Sequence, residues 1–344
     1  MSKSKKRPTI NEVAEAAGVS KRTVSRVINR SDEVNVKTRA KVEEVIRHMN
    51  FAPNRQARGL ASRHSYLIGL VYDVPTLFIA DIQKAALGVC FDEGFELFVH
   101  ACHVEDKSLV SEIVEFVSRT KVDGIIVQPP LPEIDELAVE LKSLDCHYVQ
   151  FASELSTEPW KQVVTNYLTA ITDMTNHLVN HGHTRFGFIS GPRGNLSSQK
   201  RQQSFVQALK QYGLKLPRAM IAEGAFTYES GVKGAEKLLA RADRPTAIFA
   251  ANDEMAFGVM NVASRRGIRV PDDLSLVGFD GTPFSNFVTP SLSTIRRLPL
   301  RMAELATQKL IARIIQGRDA ARAFETMVSP QFVPGDSTGP APKT

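Results

Sequence analysis

The sequence predicts a small all-helical head followed by an α/β body folded as two doubly wound parallel-sheet lobes. Three observations predict it. Apolar residues recur at helical spacing over the first fifty residues, short apolar runs alternate with longer helical-period segments from Tyr66 onward, and those runs are too many for one sheet. With 344 residues and 43% hydrophobic content, the chain is long enough for two or three structural units.

Charge separates head from body. Residues 1–64 hold fifteen Lys/Arg against six Asp/Glu, a net of +9, so the other 280 residues carry −3 of the chain's +6. A basic segment on a mildly acidic body is the electrostatic footprint of a protein that meets polyphosphate at one end. No run approaches the roughly 18 apolar residues of a membrane span, and the basic start leads into polar sequence rather than a signal-peptide core, so the expected location is the cytoplasm, with no membrane partner. Cys90, Cys102 and Cys146 are widely spaced and odd in number, which predicts reduced structural thiols and neither a disulfide framework nor a metal site.

Within the head, Thr9-Ile10-Asn11-Glu12 fits a capping box, followed by Val13, Ala14 and Ala17 at helical spacing, and Gly18 ends that helix. Ser20 is placed to cap a second helix that turns Val24, Val27 and Ile28 inward and Lys21, Arg22, Ser25, Arg26 and Asn29 outward. A loop through Ser31–Val34 leads to a third helix, whose apolar stripe is Val42, Val45, Ile46 and Met49. Two helices joined by a tight glycine turn, the second with a basic outer face, form the arrangement that lays a recognition helix in the major groove of double-stranded DNA. Arg and Lys there reach guanine edges or phosphate oxygens.

The stretch from Thr9-Ile10-Asn11-Glu12-Val13-Ala14 through Ala17-Gly18-Val19-Ser20, then Thr23-Val24-Ser25-Arg26-Val27-Ile28-Asn29, resembles the headpiece of the lac/gal repressor (LacI/GalR) family. Val34, Thr38-Arg39, Val42 and Asn50-Phe51-Ala52-Pro53-Asn54 continue the resemblance. It implies that Lys21, Arg22 and Arg26 reach base edges, while Thr9, Ser20, Thr23, Ser25 and Asn29 position the phosphate backbone. The next segment, carrying Asn54, Arg55, Ala57, Arg58 and Leu60, resembles the family's hinge helix, in which the residue at Leu60 wedges between base pairs in the minor groove. A helix so short, with Gly59 inside it, is unstable alone in water and needs a partner to form.

For the body, the alternation places strands at Leu67–Tyr72, Glu96–His100, Gly124–Gln128, Tyr148–Phe151, Phe186–Ser190, Met220–Ala222, Ala247–Ala251 and Ser275–Phe279, with a lobe crossing at Val163–Asn166. The resemblance adds a periplasmic-binding-protein-like fold. Its implied divisions are a headpiece over 1–52, a hinge over 53–65, and an effector and dimerisation domain over 66–335. The first lobe takes 66–163 plus 297–324, the second 166–293 plus 326–335, and 336–344 is left as a flexible tail.

Ligands of doubly wound sheets bind beyond the carboxyl ends of the strands. Asp73, Asn252, Asp253 and Asp280 stand there, and each also fits a plain helix cap. The resemblance places effector contacts at Ser197, Arg201, Phe226, Asn252 and Asp280, with Asp73, Phe78, Ile79 and Arg297 around them. An aromatic face with a rim of Asp, Asn and Arg suits a sugar, which offers a C–H face and hydroxyls. Two departures from the family's usual pattern bear on which sugar: Ala152-Ser153 where relatives often have an Asp, and Arg296-Arg297 where many have a Gln. The second Arg favours an acidic sugar, a phosphorylated sugar or a disaccharide.

The expectation is a homodimer on a pseudo-palindromic operator, a repressor of carbohydrate-utilisation genes released by a small-molecule effector. A non-sugar effector or a corepressor would use the same architecture. A transport-type binding protein would share the body but lack the basic head. The sequence holds no Walker loop, Gly-x-Ser-x-Gly elbow or nucleotide fingerprint, which argues against an enzyme and against any cofactor. His177, His181 and His183 lie near one another, but His177 and His181 sit at helical i, i+4 spacing near a helix end, where capping or solvated roles fit.

Overall fold

The computed structural model describes residues 8–28, 33–49, 51, 64–73 and 78–343. By their contacts these fall into two compact units, Met1–Tyr66 and Leu67–Thr344. The predicted contacts at Asn29, Asn54, Arg55, Ala57, Arg58 and Leu60, with nearly all of the hinge, lie outside the described residues.

The first unit is three helices, α1 (Ile10–Ala17), α2 (Lys21–Ile28) and α3 (Val36–His48). Thr9 and Glu12 close the predicted capping box, the Thr9 amide donating to Glu12 Oε2 at 2.5 Å. Gly18 takes φ +62°, the left-handed conformation that lets the chain leave α1 at a tight turn. Ser20 Oγ accepts from the Thr23 amide at 3.1 Å at the start of α2. Val13, Ala17, Val24 and Val42 are fully buried, and Val34 and Phe51 close the same small core. Of the stripe expected on α3 only Val42 is wholly inside; Val45, Ile46 and Met49 pack at its margin.

The second unit is built on two six-stranded sheets. The first has the order β2 (Glu96–Cys102), β1 (Leu67–Asp73), β3 (Gly124–Val127), β4 (His147–Ala152), β5 (Gln162–Thr165), β11 (Met327–Val328), all parallel. The second runs β7 (Ile221–Glu223), β6 (Phe186–Ser190), β8 (Ala247–Ala250), β9 (Ser275–Asp280), β10 (Ser293–Arg296), β12 (Gln331–Val333), and only β12 is antiparallel to its neighbour. Helices α4 (Ile79–Glu93), α5 (Leu109–Thr120) and α6 (Asp135–Ser143) serve the first sheet; α7 (Tyr167–Asn180), α8 (Leu196–Lys210), α9 (Tyr228–Leu239) and α10 (Asp253–Arg265) serve the second. Parallel strands covered on both faces bury every side chain, as β3 and β8 do.

The chain passes between the sheets three times, after Thr165, after Arg296 and after Val328. After the second passage α11 (Pro299–Gln316) packs on α4, β3 and β4, and α12 (Arg318–Arg322) follows it. The expected boundary near residue 325 is corrected by β11: Met327 and Val328 pair with Val164 and Thr165 of the first sheet, so the return to the second lobe comes after them. The segment 336–344 is likewise not a flexible tail over its described length. Ser337 is fully buried, accepts from the Ser293 amide at 2.8 Å and donates through its hydroxyl to the Leu276 carbonyl at 2.6 Å, while the Ala341 amide donates to the His181 carbonyl at 2.8 Å. His183, close by, is fully buried: its ring nitrogens meet Thr246 Oγ1, Ser275 Oγ and the Gly339 carbonyl at 2.9, 2.9 and 3.0 Å.

Candidate functional site

In the head, α2 presents Lys21 and Arg22 exposed to solvent, with Thr23, Ser25 and Arg26 half-buried beside them. Arg26 is not free: it pairs with Glu33 at 2.6 Å. The hydroxyls of Thr9, Ser20 and Thr23 close local caps, Ser20 Oγ lying 2.9 Å from Thr23 Oγ1. The arrangement offers two exposed cations at a helix start, the position from which side chains reach into a groove.

In the body, the strand ends of the second sheet bring several predicted residues together. Asp280, the last residue of β9, stands between two guanidiniums, Arg201 Nη2 at 3.8 Å and Arg297 Nη1 at 3.7 Å from its Oδ1. Arg201 comes from α8 and is 4% exposed. Its Nη1 donates to the Ala251 carbonyl, and its guanidinium lies 3.8 Å from the centre of the Phe279 ring, with Tyr167 and Phe226 at 5.5 Å. Arg297 lies 5.4 Å from the ring centre of Phe78, just before α4; Ile79 begins that helix and is half-buried. Burial pushes the Asp280 carboxyl above its ordinary value, opposed by the charges of Arg201 and Arg297. Burial likewise pulls Arg201 down, opposed chiefly by Asp280.

Two of these residues hold strained backbone. Phe226 has φ +62° and Asp280 φ +122°, conformations that L-residues rarely adopt and that cluster at functional sites. The Phe226 ring rests on the backbone of Gly191, where a Cβ would stand 2.2 Å from its Cζ, so only glycine admits the ring. Asn252 secures the same turn. Its Oδ1 accepts from the Met255 amide at 2.9 Å as the cap of α10, and its Nδ2 donates to the Phe226 carbonyl at 2.8 Å. The cap reading therefore holds for Asn252, whose amide is committed at both ends.

The other acids at the strand ends are structural in this geometry. Asp73 Oδ1 accepts from the Val104 amide at 3.0 Å, tying β1 to the loop after β2. Asp253 is 1% exposed and accepts from the Thr282 amide, Thr282 Oγ1 and Thr294 Oγ1 at 2.8, 3.0 and 2.6 Å. Burial raises its carboxyl to about 7, helped by Asp280.

Sequence reasoning named Ser197 as an effector contact and Ala152-Ser153 as a departure, and did not foresee that they join the lobes. Ser197, on α8 of the second lobe, meets Tyr167 Oη at 2.9 Å and Ser153 Oγ, after β4 of the first lobe, at 3.2 Å. Beside it Lys200 of α8 pairs with Glu154, and Glu133 of the first lobe accepts from the Leu196 amide at the start of α8. Burial works against ionisation of Tyr167, yet the Arg201 and Arg297 charges and its hydroxyl neighbours bring it below its usual range. No motif marks Tyr167; its only signal is that it follows the predicted lobe crossing.

Among the described residues no helix is long and apolar enough to cross a membrane, and no cluster of three or more His, Cys, Asp or Glu could hold a metal ion. The three cysteines are free and buried, each thiol pushed up to about 12 by burial, with nearby acids adding to the shift at Cys102 and Cys146.

A three-helix head with an exposed basic helix start, carried on the same chain as a two-lobed α/β sensing body, defines a ligand-responsive DNA-binding transcription regulator. Comparison with known proteins agrees. Residues 9–54 match the model of the bacterial regulatory proteins of the lacI family, and residues 175–338 that of the periplasmic binding protein-like domain. A probable HTH-type transcriptional repressor, ExuR, of Bacillus subtilis (strain 168) is 30% identical over 334 residues, covering 96% of this chain and 98% of the relative. Catabolite control protein A of Priestia megaterium is 35% identical over 290 residues, 83% of this chain and 86% of the relative. Among solved structures, the lac repressor dimer bound to operator and the anti-inducer ONPF superposes with a TM-score of 0.73 at 27% identity, covering 97% of this chain and all of that one. The transcriptional regulator CelR in complex with cellobiose gives 0.69 at 25%, covering 96% and all. The chain belongs to the lacI family of bacterial regulatory proteins.

Proposed function

We propose that this protein represses carbohydrate-utilisation genes in the cytoplasm and releases its operator when a small sugar-like effector fills the cleft between the lobes. The observation that carries the reading is the convergence of Arg201, Asp280 and Phe226 beyond the carboxyl ends of β7 to β9. They form a polar rim beside an aromatic face, the chemistry that re-bonds hydroxyls removed from water. Ser197, Phe78, Ile79 and Arg297 complete the contacts from around the cleft, with Asn252 and Asp73 holding its edges. The cellobiose complex of the CelR regulator supports a sugar as the class of effector.

On DNA, Lys21 and Arg22 read base edges, Arg26 joins them on leaving Glu33, and Thr9, Ser20, Thr23, Ser25 and Asn29 fix the phosphate backbone. The lac repressor dimer on its operator supports a homodimer on a pseudo-palindromic site. Within the hinge and linker over 53–65, the segment 54–61 then pairs with its copy as hinge helices in the minor groove, with Asn54, Arg55, Ala57 and Arg58 on the duplex and Leu60 as the wedge. Effector binding shifts one first lobe against its partner and separates the hinge helices, which are too short to persist unpaired.

Selection of bound DNA from a random pool, with and without a panel of sugars, tests this. The expected result is an enriched palindromic motif whose recovery falls in the presence of one sugar. Absence of any enriched motif, or equal selection by protein lacking residues 1–61, refutes it.

A further inference from the structure

The charges around Asp280 narrow the effector further, on the footing that the cleft is a sugar site. Two guanidiniums face one carboxylate oxygen at 3.7 and 3.8 Å, close enough for ion pairs and too far for hydrogen bonds. Arg201 Nε, Arg297 Nε and Asp280 Oδ1 are all buried, and none has a hydrogen-bond partner among the described residues. Arg201 cannot turn elsewhere to find one, because the Ala251 carbonyl holds its end and the Phe279 ring covers its face. Nor do the neighbouring acids supply the missing acceptor: Asp253 is committed to Thr282 and Thr294, and Glu254 accepts from the Tyr228 amide at 3.1 Å. A buried guanidinium with unmade hydrogen bonds is costly, and the acceptor that satisfies two of them in a fixed plane is a carboxylate.

The same surroundings disfavour a phosphate. A phosphoryl group is usually seated on free amides at a helix start. Here the Leu196 amide serves Glu133, the Ser198 amide serves Asn195 at 2.9 Å, and the Met255 amide serves Asn252. Arg201 and Arg297 against Asp280 leave at most one positive charge, which the nearby Asp253 and Glu254 reduce further, so a dianion would stand uncompensated.

We propose that the effector is a monoanionic sugar acid, of the hexuronate or hexonate type, whose carboxylate is bound by Arg297 with Arg201 behind it, while Asp280 and Phe226 take its hydroxyls and ring face. Arg297 discriminates acid from neutral sugar, and its contact with Phe78 aims it from the first-lobe side of the cleft.

Calorimetric titration of the full chain reads this directly. The probes are galacturonate, glucuronate and gluconate against galactose, glucose, glucose 6-phosphate and cellobiose, and thermal unfolding of each variant confirms that it is folded. One sugar acid is expected to bind at least tenfold tighter than its neutral counterpart and than the phosphate. Arg297→Gln lowers that preference at least tenfold, whereas Arg297→Lys, which keeps the charge, retains most of it. Tightest binding by a neutral sugar or by the phosphate overturns the inference and leaves the sugar reading standing, as does an acid preference that survives Arg297→Gln. Silence of every probe with folded protein overturns both.

Discussion

Lys309 donates its ammonium to the hydroxyl of Thr326 at 2.6 Å, from the middle of α11 to the residue just before β11. The carbonyls of Pro159 and Gln162 accept from the same nitrogen at 3.0 Å each. Thr326 in turn accepts through its carbonyl from the Val164 amide at 2.7 Å. One buried cation therefore joins α11 to β5 and to the approach to β11, the two strands from which the chain leaves the first lobe.

Lys309→Met keeps most of the volume and removes the donor. Two carbonyls and a hydroxyl are left wanting a partner, at a cost of about 1–3 kcal/mol, readable by denaturant unfolding. Burial pushes the ammonium of Lys309 down to about 8 from an ordinary 10.5. Between those values the unfolded chain binds the proton that the folded chain has shed, so this group makes wild-type stability rise with pH. The deficit of Lys309→Met is accordingly expected to widen from pH 8 to pH 10. A constant deficit would show that the ammonium stays charged throughout.

Truncation before Asp336 tests the corrected reading of the carboxyl-terminal segment. It strips Ser337 from Leu276 and Ser293, and removes the Gly339 carbonyl from the buried ring of His183. The loss of several buried hydrogen bonds is on the order of 3 kcal/mol, a fall in Tm of roughly 6–12 °C. An unchanged Tm would return the segment to the status of a tail.

The contrast between that segment and the strands explains what could be read from the chain. β3 and β8 are covered on both faces, so they appear as uninterrupted apolar runs, Gly124–Val127 and Ala247–Ala250. β10, next to the edge strand β12, is nearly as buried, yet its Ser293 and Thr294 satisfy themselves against Gly335, Thr338 and Asp253, and polar residues paired inside a core leave no hydrophobic signature. The carboxyl-terminal segment misleads in the same way, because backbone and hydroxyl pairing needs no apolar residue. In the cleft, Arg201, Phe226 and Asp280 were legible through a resemblance that fixes their spacing. Tyr167 was not, nor was the bridging role of Ser153, since both depend on two lobes meeting and no local pattern encodes it.

Glu33 competes with DNA for Arg26. The pair is at 2.6 Å with side chains 38% and 64% exposed, so the bond itself contributes little to stability. Glu33→Gln frees the guanidinium and removes a negative charge from the face that α2 presents. Operator affinity in low salt is expected to rise severalfold with Tm unchanged, whereas Arg22→Ala weakens binding by about 1–3 kcal/mol at its own base position. Equal affinity for wild type and Glu33→Gln, measured by fluorescence anisotropy across a salt series, would place Arg26 away from the duplex.

The contacts that join the lobes set how much of the effector's binding energy goes into closure. Lys200 pairs with Glu154 across the cleft, next to the hydroxyl bridge from Ser153 to Ser197 and Tyr167. This ion pair is separate from the one that joins Asp280 to Arg201 and Arg297, so its substitution changes the ease of closure and leaves the ligand's own contacts intact. Glu154 is 57% exposed, which limits the pair to less than about 1 kcal/mol. Glu154→Gln is therefore expected to weaken effector affinity two- to fivefold through population of the open form, with the order of preference among sugars preserved. Ser153→Ala removes a weaker tie and has a smaller effect in the same direction. A change in the rank order of sugars with Glu154→Gln would mean that Glu154 reaches the ligand, and scattering of the free and bound protein would then show the same closure in both variants.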